Sequence, residues 1–414
     1  MKSKILFLLL FFCQHIHSQD SAFLQLMVDN TYEFDIQDGE FIGPGADFLK
    51  KEFENSQYVL IGEYHFSPLI AKFTHAAIQI LDEFGFGTMA LEIGRHALSD
   101  LVDQMDRKNP KDVKQKLRSY YDKYGYYDEE GDLEFTLPFL ESEEDAIFFS
   151  EALKRDWNIY GLDQEYMHGF VPAIDIMYKK LSESDQEKYA SLKKIVQDSL
   201  NHYNIKQSNG EENMWLSLKS DSKFYDLLGI LKNIEANKEH IDDLIQSINI
   251  YSAPNLYAQY YKGFNERLKL KKRQLNKQMI QHDFDLKNDK LLLKYGGLHT
   301  AKGSSKWECM DIGNTFAELA LLNGNESLHL YFKSRFDRSE GEEYDAASNE
   351  NSSYYELIRL GKKDKWIAID LRVARDKSLF YPFAYNLNDD FSKLIINQDI
   401  LIIPSEEYES THLK

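Results

Sequence analysis

Seven short apolar runs punctuate the chain. They are Tyr58–Glu63, Thr88–Glu92, Asn158–Leu162, Lys290–Tyr295, Ser327–Phe332, Trp366–Asp370 and Ile400–Ile403. Each is nearly continuous in apolar residues, the pattern of strands covered on both faces, as in parallel sheets. Helical spacing lies between them. Pro68 opens one such stretch, with Leu69, Phe73, Ala77, Ile80 and Leu81 on one face. Gly85 and Gly87 stop it before the next strand. A second helix is expected from Asn314 to Leu322. Strands alternating with helices predict an α/β fold, a central mostly parallel sheet flanked by helices.

Residues from about 170 to 286 break the alternation. They lack strand signals and are rich in helix formers and charge, so a long helical insertion is expected there. Lys262 to Lys277 is its most basic stretch. Tyr120–Glu130 and the acidic Arg338–Ser353 read as loops. No repeat at a fixed period is present.

The N-terminus changes the picture of where the chain works. Lys2 and Lys4 precede the apolar run Ile5 to Phe12, and polarity then rises through Gln14, His15 and His17. This is the pattern of a signal peptide over residues 1–18, with an α/β domain following over 19–414. An exported protein, periplasmic or secreted, is expected. A lipid anchor at Cys13 is disfavoured because Phe12, not a small residue, precedes it. The run is shorter than the roughly 20 residues of a membrane span, and no other run approaches that length, so no transmembrane segment is expected in the mature chain.

Composition narrows the partners. Net charge is −19, which opposes nucleic-acid binding, since phosphate contacts need a basic surface. The charge says nothing positive about the substrate; the partner expected is a small molecule. Of the two cysteines, Cys13 falls in the expected signal, leaving Cys309 without an intramolecular disulfide partner.

The candidate chemistry is a shared position rather than one motif. In open α/β sheets, ligands bind beyond the carboxyl ends of the strands. Four expected strands end in ionisable groups: Gly62-Glu63-Tyr64-His65, Leu91-Glu92, Gly161-Leu162-Asp163 with Glu165 nearby, and Gly296-Gly297-Leu298-His299. Glu63 and His65 are two apart and share a side if the segment stays extended. A carboxylate beside an imidazole orients it and fixes its tautomer. Glu92 follows an apolar run, and such a carboxylate is seldom buried unless paired or functional; Arg95 and His96 are possible partners. Asp163 could equally cap a following helix. His75 reads as a packed or surface histidine. No Gly-x-Ser-x-Gly elbow, Walker A loop or His-Glu-x-x-His occurs.

These ordered residues resemble the erythromycin esterase-like superfamily, which is related to Tiki-type and ChaN-like proteins. The family's first motif is matched by Gly62-Glu63-Tyr64-His65, its second acidic strand end by Leu91-Glu92, its Gly-x-Asp by Gly161-Leu162-Asp163, and its late histidine by His299. The sequence departs from it at Phe66 and at Gly296-Gly297.

The resemblance implies a hydrolase that directs water at an ester-like bond, with Glu63, His65, Glu92 and His299 catalytic. Arg95, Asp163, Glu165 and Arg273 are the expected substrate-binding residues, Arg273 standing for an arginine on the helix before the late strand. No cofactor is expected on this reading. Two alternatives stay open. One is a metal-dependent hydrolase, as in Tiki-type relatives, with Glu63, His65, Glu92 and His299 as ligands of a divalent ion. The other is a haem- or small-ligand-binding protein of the ChaN kind.

Overall fold

The computed structural model describes residues 23–127, 133–134, 137–252, 260–305, 309–339, 342–350, 354–375, 389–408, 410–411 and 413. The expected signal peptide and Cys13 lie outside them. The fold is α/β, with a large, mostly parallel central sheet flanked by helices. In chain order the described strands are β1 (Thr31–Gln37), β2 (Glu40–Ile42), β3 (Tyr58–Glu63), β4 (Phe86–Gly94), β5 (Tyr126–Tyr127), β6 (Leu133–Glu134), β7 (Asn158–Asp163), β8 (Lys290–Gly296), β9 (Ser327–Phe332), β10 (Phe336–Ser339), β11 (Glu342–Asp345), β12 (Trp366–Asp370) and β13 (Ile400–Ile403). The seven apolar runs all became strands, four with the expected ends, two extended by one residue and β4 by two residues at each end.

The chain divides into two compact units, Met1–Phe86 with Leu286–Ser410, and Gly87–Asp285 with Thr411–Lys414.

In the first unit the strands lie in the order β2-β1-β12-β13-β9-β3-β8. β3 is parallel to both β8 and β9, and β13 is parallel to β9. β1 pairs antiparallel with β12 and with β2, and β12 antiparallel with β13. Tyr58, Val59, Leu60 and Ile61 of β3 are fully buried, as a strand flanked on both sides and covered on both faces must be. An apolar cluster of Ile367, Ile369, Leu371, Leu401 and Ile403 packs β12 and β13 against Phe391 and Leu394. Helix Pro68–Glu83 follows β3; Ser67 caps it, its Oγ accepting the Ile70 amide at 3.1 Å.

The second unit holds β4 and β7, a parallel pair, and a series of helices from Phe170–Tyr178 to Tyr260–Gln281. These helices have a core of their own, including Phe170, Met177, Leu200, Trp215, Phe224 and Leu244.

Two loop expectations are corrected. Tyr120–Tyr124 belongs to helix Pro110–Tyr124, and Tyr126–Tyr127 is β5; residues 128–130 lie outside the described ones. Tyr121 is buried and donates its hydroxyl to the carbonyls of Leu137 and Leu140, so the aromatics serve packing here. The acidic stretch after Arg338 is a hairpin, β10 antiparallel to β11. Its charges are paired, Arg338 with Glu343 at 2.8 Å and Lys363 with Glu343 at 2.7 Å, which is what a polar two-stranded ribbon needs. Residues 351–353 of that stretch lie outside the described ones.

Candidate functional site

In the first unit, β3 and β8 run side by side and in register, Glu63 opposite Gly296. Their carboxyl ends therefore leave the sheet together. After β8 the chain turns at once through Gly297–His299 and lies against β3. A side chain at Gly62 would put its Cβ 2.4 Å from Thr300 Oγ1 and 3.0 Å from Gly297 Cα. Glycine at 62 is thus the condition for bringing the His299 turn onto the end of β3.

His299 is buried, and its Nδ1 makes a short hydrogen bond with Oδ2 of Asp311. The other oxygen of Asp311 accepts the Ile312 amide at 2.6 Å and caps helix Ile312–Asn323. In the tautomer that donates Nδ1–H to the carboxylate, Nε2 is the basic nitrogen of the ring. This is the histidine–carboxylate arrangement that general-base chemistry uses. A recess of about 50 Å³, lined by Gly297, Leu298, Tyr331, Tyr354, Lys393 and Gln398 among others, opens beside the same turn.

Glu63 is buried too, and its carboxylate makes a close ion pair with the equally buried Lys294 of β8. Two buried charges are tolerated only as a pair. His65 behaves differently. The strand ends at Glu63, and His65 and Phe66 form a turn, with Phe66 at φ 65°. His65 is exposed, its ring 6.0 Å from that of Phe66.

That turn is fastened from the far end of the sequence. Glu407 accepts the Tyr64 hydroxyl at 2.5 Å, the Ser67 hydroxyl at 2.9 Å and the Leu69 amide at 3.4 Å. Burial pushes the Glu407 carboxyl up to about 7, against the pull of its Tyr64 and Ser67 donors.

In the second unit, Glu92 of β4 and Asp163 of β7 share one cation. Arg267 donates Nε to Asp163 at 3.0 Å and a terminal nitrogen to Asp163 at 2.5 Å and to Glu92 at 2.7 Å. Lys271 Nζ is 3.7 Å from Glu92. Asp163 thus serves an ion pair and not a helix cap. Glu165 does cap a helix: its carboxylate accepts the His96 amide at 3.3 Å at the start of helix Arg95–Asp103, where Gly94 brings no side chain. Burial pushes its pKa up to about 8 despite that amide.

Arg95 pairs with Glu239. Arg273 is bound to Asp243 at 2.5 Å, and the same Asp243 faces His96 at 3.0 Å. His96 stacks on buried His240 with centroids 4.0 Å apart. Arg95 and Arg273 are thus engaged in salt bridges of the helical region.

Four residues were missed in the sequence: Arg267, Lys294, Asp311 and, with no local signal, Glu407. Arg267 sits in the basic stretch Lys262–Lys277, but nothing in that run marks it out from its neighbours. Lys294 interrupts an apolar strand, which is a visible signal for a buried partner. Asp311 stands just before a helix, and there reads only as a cap. Among the described residues no group of three or more His, Cys, Asp or Glu side chains is arranged to hold a metal ion.

The fold is erythromycin esterase-like. No family model matches the chain, and no curated protein matches it in sequence. Solved structures match in fold. One is a protein from Bacillus cereus, at TM-score 0.54 and 14% identity over 95% of this chain and 98% of that one. Another is a succinoglycan biosynthesis protein, at TM-score 0.50 and 16% identity over 95% and 98%. A third is the erythromycin esterase EreC, a histidine-to-asparagine variant in its open conformation, at TM-score 0.51 and 13% identity over 89% and 95%.

Proposed function

We propose that this protein is a hydrolase that directs water at an ester-like bond, with His299 as general base. The observation that carries the reading is the His299–Asp311 pair at the end of β8. Nε2 of His299 takes a proton from water as the water oxygen bonds to the substrate carbonyl carbon. The imidazolium is stabilised by the Asp311 carboxylate. The tetrahedral oxyanion then collapses, and the departing alkoxide takes the proton from Nε2. His65 is assigned to the oxyanion or the leaving group, and Glu63, paired with Lys294, to the field at the strand ends. Glu92 and Asp163 receive no proton-transfer step, because Arg267 already binds both. They are assigned to binding and order within the second unit.

The likeness of fold to an erythromycin esterase supports ester hydrolysis as the reaction class. The chain's own side chains supply every group the steps need, so no metal is invoked. The N-terminal pattern of Lys2, Lys4 and Ile5–Phe12 supports export of the protein.

The test is turnover of an ester panel, including p-nitrophenyl acetate and erythromycin, by the full chain and by His299→Gln. Loss of turnover in the variant, with unchanged thermal unfolding, is expected. Undiminished turnover by His299→Gln rules the mechanism out. Activity that disappears on exhaustive chelation and returns with a divalent ion would favour a metal hydrolase instead.

A further inference from the structure

The turn carrying His65 is gripped on both sides by one side chain that is remote in sequence. Tyr64 precedes His65 and Ser67 follows Phe66; both hydroxyls end on Glu407, at 2.5 and 2.9 Å. The Leu69 amide adds a third donor at 3.4 Å. Glu407 is only 4% exposed. Its own amide donates to Phe336 O at 2.9 Å, and next to it the Glu406 amide donates to Lys363 O at 2.9 Å. Glu406 is further tied to Lys363 at 3.2 Å. The segment that brings Glu407 is therefore itself anchored.

A cap for helix Pro68–Glu83 does not require this. Ser67 already caps it through the Ile70 amide. The grip on Tyr64 lies on the other side of the turn and contributes nothing to the helix end. Between the two anchors stand only His65 and Phe66, with Phe66 in the left-handed region at φ 65°. That conformation is unfavourable for an L-residue, and persists where the surroundings over-determine it. Phe66 is 56% exposed, so burial of its own side chain does little to hold it there.

We infer that Glu407 is a positioning residue for His65: its carboxylate, joined to Tyr64 and Ser67, sets where the imidazole stands at the end of β3. The inference rests on the hydrolase reading for its effect on turnover, but not for its effect on His65 itself.

The experiment uses the full chain with 13C-labelled histidine. The His65 ring correlation is assigned by its loss in His65→Gln, and kcat and KM are measured for p-nitrophenyl acetate. Glu407→Ala is expected to move the His65 correlation and lower kcat about tenfold, with KM within about twofold. Glu407→Gln, which keeps an acceptor oxygen, is expected to regain most of kcat. Tyr64→Phe removes a single hydroxyl and serves if Glu407→Ala does not fold; it is expected to act in the same direction. An unmoved His65 correlation in a folded Glu407→Ala or Tyr64→Phe overturns the inference. If His65→Gln keeps full turnover, the role of His65 in hydrolysis fails, and the ring correlation alone still decides whether Glu407 places it.

Discussion

Asp311 divides its carboxylate between His299 Nδ1 and the Ile312 amide. One oxygen orients the imidazole and the other closes a helix. The two duties separate under mutation. Asn is as good a cap as Asp, but it carries no charge to stabilise an imidazolium and can offer N–H where the histidine needs an acceptor. Asp311→Asn is expected to lower kcat about a hundredfold or more while leaving the unfolding midpoint nearly unchanged. Steady-state kinetics beside a thermal melt decides it, and wild-type kcat would count against Asp311 as the partner of the base.

Glu63 and Lys294 are each other's charge partner in a buried setting. Lys294→Met leaves a carboxylate buried without that cation, which costs about 3–5 kcal/mol. Adding Glu63→Gln to the same chain should return much of that stability. Urea unfolding of the two single variants and the double variant tests this; additive losses would show that the pair is not coupled.

These cases show how far the strand ends were legible. The apolar runs marked β3, β4, β7, β8, β9, β12 and β13 because both faces of those strands are covered. β1 was invisible to that criterion. In Thr31–Gln37 only Phe34 and Ile36 are buried, an alternation that marks a strand with one covered face. Glu63, Glu92, Asp163 and His299 stood out as charges following apolar runs. Their partners did not, since a contact between residues 92 and 267, or 64 and 407, leaves no periodic trace. The expected Glu63–His65 alignment assumed an extended chain, whereas the strand ends at Glu63 and the chain turns at His65 and Phe66.

Arg267 is joined to both Glu92 and Asp163. Arg267→Leu removes it and places two buried carboxylates of β4 and β7 close to one another's charge with less to offset it. A loss of about 3–5 kcal/mol is expected. Arg267→Lys should recover only part, since an ammonium cannot reproduce the two-pronged contact with Asp163. Hydrogen exchange in β4 and β7 will report the loss; unchanged protection in Arg267→Leu contradicts it.

Glu165 gives the fold a pH dependence with a definite sign. Its carboxyl is pushed from an ordinary 4.5 up to about 8 by burial. Below about 4.5 the folded and unfolded chains both hold the proton. As pH rises towards 8 the unfolded chain releases it first, so this residue's contribution to stability declines across that window and is gone above it. Glu165→Gln keeps an acceptor for the His96 amide and has no proton to lose. The stability of the variant relative to wild type should therefore grow with pH, with a slope approaching about 1.4 kcal/mol per pH unit. Urea titrations at several pH values measure it, and parallel profiles would refute it.

The first unit is assembled from both ends of the chain, with Gly87–Asp285 spliced between them. On the ribosome this imposes a schedule. β3 emerges early, with Tyr58 to Ile61 apolar and its two strand neighbours, β8 and β9, still untranslated. The helices from Phe170 to Gln281 are made in the interval and bring their own core, so they can condense while β3 waits. During that wait β3 is an unpaired apolar edge, the kind of segment that invites aggregation. Yield of this protein should therefore depend on chaperone supply and translation speed more than its finished stability would indicate.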